Sequence, residues 1–339
     1  MSDVIIRTEG RAGRITLNRP AALNALTWDM LRAFEGAITA WRTDPQVQIV
    51  LIDAEGRAFC AGGDIAEMYA TGRRGDADYG RAFWRDEYRL NAALHHYPKP
   101  VVSFLQGYTM GGGVGIGCHA RHRIVGETSR IAMPECGIGL VPDVGGSLLL
   151  ARAPGRLGEY LGLTGDRMEA GDAILAGFAD HFVPEADWPA LAAAMAASGQ
   201  PALPDHAAPP ARLADWQPDI DRAFAAPTLA DIRFDDSPAL AHAEKLMRRN
   251  SPLSMAAALD IIRAARADPR IETALDHEFR FTFRAVAHSD FIEGIRAAII
   301  DKDRNPRWRH AGWNLPADDI AAMTAPLGPD SLNLTETPS

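Results

Sequence analysis

The chain has 339 residues, of which 47% are hydrophobic and 23% charged, a composition typical of a globular protein with enough apolar surface for a full core. Its 35 Lys and Arg against 44 Asp and Glu give a formal net charge of -9, the wrong sign for a surface that binds a phosphate backbone, so no nucleic-acid partner is expected. No run of about 18 apolar residues and no basic, apolar leader is present, so we expect neither a membrane partner nor secretion. The three cysteines lack C-x-x-C spacing and suit a reducing compartment, which predicts a cytoplasmic protein.

The first half of the chain alternates strand and helix patterns. Residues 4–8 and 14–18 alternate apolar and polar side chains and predict a hairpin. Behind Thr27, apolar residues recur at steps of three and four as far as Trp41, which predicts an amphipathic helix with Thr27 as its N-cap. Short apolar stretches then predict buried strands at residues 47–52, 100–106, 123–126 and 131–133. Strands that alternate with helices indicate an α/β fold with mostly parallel pairing.

The composition changes in the second half of the chain. The segment 201–238 is rich in Pro, Ala and Asp, which predicts irregular structure or short helices. Helical patterns follow at residues 251–267, 272–288 and 291–300. We therefore divide the chain into an α/β core (1–183), an Ala- and Pro-rich connection (184–240) and a helical C-terminal module (241–339).

Two glycine clusters follow strands at points where a helix begins. The first contains Gly62 and Gly63, and the second is the triple glycine at residues 111–113. Backbone N–H groups at a helix start are unpaired, and glycine has no Cβ to block a close approach. Two such donors aimed at one point would make an oxyanion hole, whereas the alternative is a pair of tight turns with close helix packing. Neither cluster has dinucleotide or Walker-A spacing.

Two carboxylates, Glu135 and Asp143, lie in a segment punctuated by Gly and Pro. Such a loop can hold both groups in one pocket, where burial and mutual repulsion raise the pKa of at least one of them toward values useful for acid–base catalysis. The alternative is that Glu135 caps a helix and Asp143 makes a turn. A third acid, Glu87, lies on a predicted helix, where it would ordinarily be solvated.

Other kinds of site receive little support. His119 and His122 have no third ligand at a suitable spacing, so no metal is expected. Ser147 lacks the G-x-S-x-G pattern, which counts against a serine hydrolase. The basic segment 301–309 is either a solvated helix end or a contact for a phosphate-bearing ligand.

Several motifs in this order resemble the crotonase, or enoyl-CoA hydratase/isomerase, superfamily: Asn18-Arg19-Pro20 with Asn24-Ala25-Leu26, residues 59–64, Gly111-Gly112-Gly113 and Met133-Pro134-Glu135. The resemblance implies a crotonase-like spiral of β-β-α units that binds an acyl-CoA thioester. It also implies that the thioester oxygen lies between the backbone N–H groups of Gly63 and Gly112, the oxyanion hole.

Departures from that pattern indicate a subfamily. Hydratases carry a second catalytic glutamate two residues after the triple glycine, where this chain has Val114 and then Gly115. Asp143 stands where hydratases usually have glycine. With the motifs at 139–146, 163–165 and 299–303, the chain resembles the 3-hydroxyisobutyryl-CoA hydrolases over nearly its whole length.

The resemblance to these hydrolases implies a reaction and roles for the acids. Water would cleave an acyl-CoA thioester, a step of valine breakdown. Glu135 would be the general base or a nucleophile that forms a mixed anhydride, and Asp143 would orient water or substrate and perturb Glu135. Glu87 would accept a hydrogen bond from the 3-hydroxyl group, so the expected substrate contacts are Glu87, Gly112, Glu135 and Asp143.

Two alternatives stay open at this stage. The chain could be a hydratase or isomerase for another acyl-CoA, or a non-catalytic CoA-binding or scaffold protein, although Glu87, Glu135 and Asp143 together argue against the second. No cofactor is expected, because CoA is part of the substrate. The C-terminal module could pack within its own chain or across a neighbouring copy, which leaves a homo-oligomer open.

Overall fold

The computed structural model describes residues 2–334. Its strands are β1 (Val4–Glu9), β2 (Ala12–Leu17), β3 (Ile49–Ala54), β4 (Ala58–Cys60), β5 (Val101–Phe104), β6 (Tyr108–Met110), β7 (His122–Val125), β8 (Arg130–Ala132) and β9 (His181–Phe182). Its α-helices are α1 (Trp28–Thr43), α2 (Ala66–Arg73), α3 (Asp78–His95), α4 (Gly112–Gly117), α5 (Gly146–Arg152), α6 (Leu157–Thr164), α7 (Ala170–Leu175), α8 (Trp188–Ser198), α9 (Arg212–Phe224), α10 (Pro238–Met247), α11 (Pro252–Ala267), α12 (Ile271–His288), α13 (Phe291–Ile295) and α14 (Ala317–Thr324). Within this range no helix combines the length and the apolar character needed to cross a membrane.

The strands form two sheets, and from β3 onward successive strands alternate between them. The larger sheet has the order β1-β2-β3-β5-β7-β9, and the smaller has the order β4-β6-β8. Strands β3, β5 and β7 join the larger sheet, and the strand after each joins the smaller one before a helix follows. Every pairing between these strands is parallel except the β1–β2 hairpin. The α/β class, the spiral of β-β-α units and the hairpin predicted from the sequence are confirmed.

Helix α1 begins where the sequence pattern predicts. The Thr27 side chain accepts a hydrogen bond from the Met30 N–H at 3.2 Å, so it caps the helix as expected. The buried face of the helix consists of Met30, Leu31, Phe34, Ala37, Ile38 and Trp41. This spacing of three and four residues packs the helix against the sheet through one apolar stripe.

The Pro-rich connection contains more helix than its composition predicts. Helix α9 runs for 13 residues with Pro218 inside it, although proline removes one backbone hydrogen bond. Its buried face includes Phe224, whose ring lies 5.6 Å from that of Tyr160 on α6. Packing of this apolar face therefore outweighs the local preference of proline. Residues 201–211 have no regular structure, as the composition predicts.

The C-terminal helices complete the core instead of forming a separate layer. Helix α12 packs on α3, where the Tyr88 and Phe279 rings lie 6.0 Å apart. The Trp84 ring on α3 lies 5.6 Å from Phe291 at the start of α13. One buried apolar cluster runs from Val4 to Leu332. The boundaries proposed at 183/184 and 240/241 stay predictions.

Predicted helix 291–300 is divided in two. Helix α13 ends at Ile295, and the chain continues as a π-helical turn, Arg296–Ile300. The Arg296 guanidinium binds the carboxylates of Glu293, Asp301 and Asp303, which draws the following segment back across the turn.

Candidate active site

The first glycine cluster leaves one backbone donor free. After β4, the Leu26 N–H donates to Gly62 O at 2.9 Å, and the Asp64 N–H donates to Leu26 O at 2.8 Å. The Gly63 N–H lies between these two bonds and has no acceptor among residues 2–334. Gly62 has a φ of 114°, a conformation that residues with a Cβ rarely adopt.

The triple glycine lets the second turn approach the first. Gly111 has a φ of 49°, and a Cβ on Gly113 would lie 2.4 Å from the Cys60 backbone oxygen. Gly112 is the first residue of α4, so its N–H has no partner within the helix. A Cβ on Gly112 would lie 3.4 Å from the Gly63 nitrogen. Gly112 therefore lies against Gly63, and the two N–H groups predicted for an oxyanion hole belong to adjacent turns.

Both glycine turns line one cavity of about 140 Å³. Its remaining wall is mostly apolar and includes Met68, Phe83, Trp84, Ile138, Leu140 and Phe291. Three carboxylate side chains reach the same cavity, those of Glu87, Glu135 and Asp143. The structure thus brings together all five residues singled out from the sequence.

Glu87 is buried, contrary to the expectation for a residue on a helix surface. Only 3% of it is exposed, because α4 and α12 cover α3 on either side. Its Oε1 atom has no hydrogen-bond partner within the described chain. Burial, with the nearby Asp143 charge as the second cause, raises the pKa of the Glu87 carboxyl well above its ordinary value.

Glu135 begins a short 3₁₀ turn, Glu135–Ile138, immediately after β8 and Pro134. The sequence left open that Glu135 caps a helix. Glu135 does lie at the start of a helical turn, but its side chain makes no capping hydrogen bond. Its Oε2 atom is buried and has no partner in the described part of the chain. Burial raises the pKa of Glu135 well above its ordinary value, and the Asp143 charge raises it further.

Asp143 has a fixed partner. Its Oδ2 atom accepts a hydrogen bond from the Tyr88 hydroxyl at 2.7 Å. Burial raises the pKa of Asp143 to about 7, even though the Tyr88 hydrogen bond lowers it. All three carboxyl groups of the cavity thus have raised pKa values, because burial and the repulsion between neighbouring charges disfavour ionisation of all of them at once.

Sequence reasoning missed three polar residues beside the cavity. Tyr88 binds Asp143, Asn91 is buried with neither amide atom paired, and Glu278 binds the backbone just after Asp143. Residues 84, 87, 88 and 91 share one face of α3 at helical spacing, and this pattern could have placed Glu87, Tyr88 and Asn91 in the interior. No local pattern connects Glu278 with Asp143, because they are far apart in the chain.

His119 and Ser147, which the sequence does not favour as a metal ligand or a nucleophile, have structural partners. His119 Nε2 lies 2.8 Å from the Val144 carbonyl oxygen, and burial lowers the pKa of this imidazole to about 3. The Ser147 hydroxyl donates to the Glu278 carboxylate. Neither residue lines the cavity.

Gly115, where the resemblance places a second glutamate in hydratases, has no room for a side chain. A Cβ there would lie 2.7 Å from Asn91 Nδ2 and 2.8 Å from Val144 Cβ. Contacts below about 3 Å require a neighbour to move. This packing leaves the cavity without an acid from α4.

Comparisons with known proteins identify the family of this chain. A profile of the enoyl-CoA hydratase/isomerase family matches residues 12–322. A protein from Gallus gallus named "3-hydroxyisobutyryl-CoA hydrolase, mitochondrial" is 35% identical over 98% of this chain and 91% of its own length. The protein of that name from Danio rerio is 38% identical, over 91% and 85%.

A solved structure is closer still. The crystal structure of an enoyl-CoA hydratase from Rhodobacter sphaeroides 2.4.1 is 60% identical, with a TM-score of 0.96 over 98% of this chain and 100% of the other. The names of the similar proteins therefore differ in activity but agree in family. The chain belongs to the enoyl-CoA hydratase/isomerase family, and within it to the group with curated members named 3-hydroxyisobutyryl-CoA hydrolase.

Proposed function

We propose that this protein hydrolyses a short acyl-CoA thioester, with 3-hydroxyisobutyryl-CoA as the substrate and 3-hydroxyisobutyrate and CoA as products. The observation that carries the proposal is the placement of an unpartnered Glu135 carboxyl in the same small cavity as the free N–H groups of Gly63 and Gly112. The names of the curated relatives support the choice of substrate. The reaction would be a step of valine breakdown in the cytoplasm.

The two glycine donors would stabilise the reacting oxygen. When water or a carboxylate attacks the thioester carbon, negative charge moves onto the carbonyl oxygen. The Gly63 and Gly112 N–H groups would donate to that oxygen, and one such donor contributes about 2.7–4 kcal/mol to lowering a barrier. Collapse of this intermediate breaks the carbon–sulfur bond, and CoA leaves as a thiol after taking up a proton.

The three carboxyl groups would activate the nucleophile and position the substrate. Glu135 would either remove a proton from the attacking water or attack the thioester carbon itself, forming a mixed anhydride that water then hydrolyses to release the acid and free Glu135. Its free Oε2 atom supports both roles. Asp143, held by Tyr88, would orient water or substrate. Glu87, whose Oε1 atom lacks a partner, would accept a hydrogen bond from the 3-hydroxyl group. No cofactor enters this scheme.

The size of the cavity supports a short acyl group. Its volume of about 140 Å³ is well below the roughly 300–1,000 Å³ of pockets that enclose drug-sized ligands. Phe83, Trp84 and Phe291 close the apolar wall. A branched four-carbon acyl group with one hydroxyl suits this mixture of apolar surface and acceptors better than a long fatty chain.

Hydration of an enoyl-CoA is the second candidate, because the similar Rhodobacter structure carries that name. Addition of water across a double bond would need a partner acid for Glu135, and α4 supplies none. The contacts of Gly115 with Asn91 and Val144 leave no room for one at that position. These contacts favour hydrolysis.

The test compares thiol release from (S)-3-hydroxyisobutyryl-CoA with hydration of crotonyl-CoA on the same preparation. We expect rapid thiol release and little hydration. Glu135→Ala should lower kcat for thiol release by about 100- to 10,000-fold, the range for loss of an acid–base group. Glu169→Ala, at an exposed acid outside the cavity, serves as the matched control and should retain activity.

Three other outcomes would contradict the proposed function or the role of Glu135. Brisk hydration of crotonyl-CoA without thiol release would replace the hydrolase with the hydratase. Thiol release that survives Glu135→Ala would remove Glu135 from the chemistry. Binding of both acyl-CoA compounds without turnover of either would favour a non-catalytic CoA-binding protein.

A further inference from the structure

The backbone that follows Asp143 is strained. Val144 has a φ of 55° and Gly145 a φ of 76°, so two consecutive residues lie in the left-handed region. A β-branched residue rarely adopts this conformation, and such strain persists only where the surroundings hold it in place. The contacts around this turn therefore decide where the Asp143 carboxyl points.

Glu278, on the C-terminal helix α12, makes several of these contacts. Its Oε2 atom accepts a hydrogen bond from the Gly145 N–H at 2.8 Å. Its Oε1 atom accepts one from the Ser147 N–H at 3.0 Å and another from the Ser147 hydroxyl. Helix α5 has no capping side chain of its own, since Gly145 occupies the N-cap, so Glu278 supplies the acceptors that its first turn lacks.

Helix α12 also reaches the carboxyl group of Asp143 through Tyr88. The Tyr88 hydroxyl donates to Asp143 Oδ2 and lies 3.3 Å from Thr282 Oγ1, one turn beyond Glu278. Glu278 is fully buried, yet it does not line the cavity. Its hydrogen bonds therefore connect it to the site through the Asp143 turn, while its charge also contributes to raising the pKa of Glu135.

We propose that Glu278 is a positioning residue, which holds the left-handed turn after Asp143 and thereby aims the Asp143 carboxyl into the site. Its loss would leave the buried N–H groups of Gly145 and Ser147 without acceptors, and the strained turn would relax. The proposal rests on the proposed function in so far as Asp143 takes part in the reaction. The position of the turn can nevertheless be measured without any turnover.

The experiment compares Glu278→Ala with Glu159→Ala. Glu159, on α6, is also fully buried, but it pairs with Arg156 and Arg266 and does not line the cavity. Both variants should lower the thermal unfolding temperature. For each we would measure kcat and KM for thiol release, and hydrogen exchange of the backbone amides of residues 143–147.

Glu278→Ala should lower kcat about 100-fold, the scale of a displacement near 1 Å in a catalytic group. KM should stay within about threefold, because no substrate contact is removed directly. The amides of residues 143–147 should exchange about tenfold faster or more, as the turn opens locally. Glu159→Ala should show neither effect. Glu278→Gln, which keeps the size of the side chain but only one acceptor oxygen, should show the same pattern to a smaller extent.

Unchanged kcat and unchanged exchange at residues 143–147 in Glu278→Ala would overturn the proposal and leave Glu278 a purely stabilising role. If Glu278→Ala fails to fold, wild-type kcat and exchange in Glu278→Gln would overturn it equally. If the wild-type protein releases no thiol, the proposed function fails, and the exchange rates alone then decide whether Glu278 holds the turn.

Discussion

Glu87, Glu135 and Asp143 are ionisable side chains that the fold keeps away from water. Buried carboxyl groups normally have hydrogen-bond partners, because an unpaired polar group in the interior costs free energy. Glu87 and Glu135 each have one oxygen without a partner, and only Asp143 is held, by Tyr88. A bound substrate or water molecule would supply the missing partners, which makes the unpaired oxygens the best indication of where the ligand binds.

The free oxygen of Glu87 gives a prediction about substrate choice. Isobutyryl-CoA lacks the 3-hydroxyl group and would leave the buried Glu87 carboxyl unpaired, so its kcat/KM should be at least about 100-fold below that of (S)-3-hydroxyisobutyryl-CoA. Glu87→Ala should shrink this ratio to about tenfold or less. Glu67→Ala, at an exposed acid on α2, is the control and should preserve the ratio. Equal rates for the two thioesters in the wild-type protein would contradict this role of Glu87.

The raised pKa of Asp143 predicts how stability depends on pH. Its pKa rises from 3.8 to about 7 on folding, so between those pH values the folded state keeps a proton that the unfolded state has released. The contribution of Asp143 to the free energy of unfolding should therefore fall as the pH rises from about 4 to about 7. Asp143→Asn should reduce this fall, and urea denaturation at pH 5 and pH 7.5 measures the difference. The same pH slope in both proteins would show that Asp143 is not protonated in the folded state.

The candidate site is built from turns that connect strands to helices. The turn after β4 and the turn after β6 bring Gly63 and Gly112 side by side, and the turn between β8 and α5 carries both Glu135 and Asp143. Each turn follows a strand of the smaller sheet, whose parallel pairing aligns these strand ends. The repeat of β-β-α units therefore explains why groups far apart in the sequence meet at one edge.

The glycines of the second turn differ in what a side chain would contact. A Cβ on Gly112 would lie 2.7 Å from Glu87 Oε1 and 3.1 Å from Leu26 Cδ1, both of which are ends of side chains. A Cβ on Gly113 would lie 2.4 Å from the Cys60 backbone oxygen, which cannot move aside as easily. Gly112→Val should therefore lower kcat for thiol release by about 100-fold or more and remain folded. Gly113→Ala should lose stability by about 1–3 kcal/mol.

Thermal unfolding and thiol release, measured on the same preparations, separate these two effects. Gly36→Ala is the control, because a Cβ there contacts nothing within 4 Å on α1; it should stabilise the helix by about 1 kcal/mol and leave turnover intact. Full activity in Gly112→Val would rule out the oxyanion hole.

At the scale of the whole molecule, the C-terminal helices and the β-β-α core share one interior. The contacts of Phe279 with Tyr88 and of Phe291 with Trp84 belong to the same apolar cluster as the sheet residues. Phe291 also lines the cavity, so the C-terminal part of the chain contributes directly to the candidate site.

This shared interior predicts cooperative unfolding. Differential scanning calorimetry should give one transition, with a calorimetric enthalpy equal to the van't Hoff enthalpy, because neither part can lose its structure without exposing the apolar surface of the other. Two resolved transitions would mean that the C-terminal module folds independently. Removal of the chain after residue 240 should yield an unfolded or aggregated protein for the same reason.

Much of this protein is determined by the sequence alone. Alternation of apolar residues and the Thr27 cap fix the early strands and helix α1, since hydrophobic periodicity and capping are local properties. Glycine clusters and the acids Glu135 and Asp143 point to the site because positive φ, close approach and buried charge each need particular residue types. The family follows from the order of these motifs.

Only the tertiary structure decides the rest. Three features depend on contacts between α3, α12 and the loop before α5. They are the burial of Glu87, the hydrogen bond from Tyr88 to Asp143 and the hydrogen bonds that Glu278 accepts from the turn. Helix α9 likewise continues through Pro218 because its apolar face is buried. Such features are set by which surfaces meet in space, and the free energy of burying apolar side chains and pairing buried polar groups outweighs the local preferences that a sequence displays.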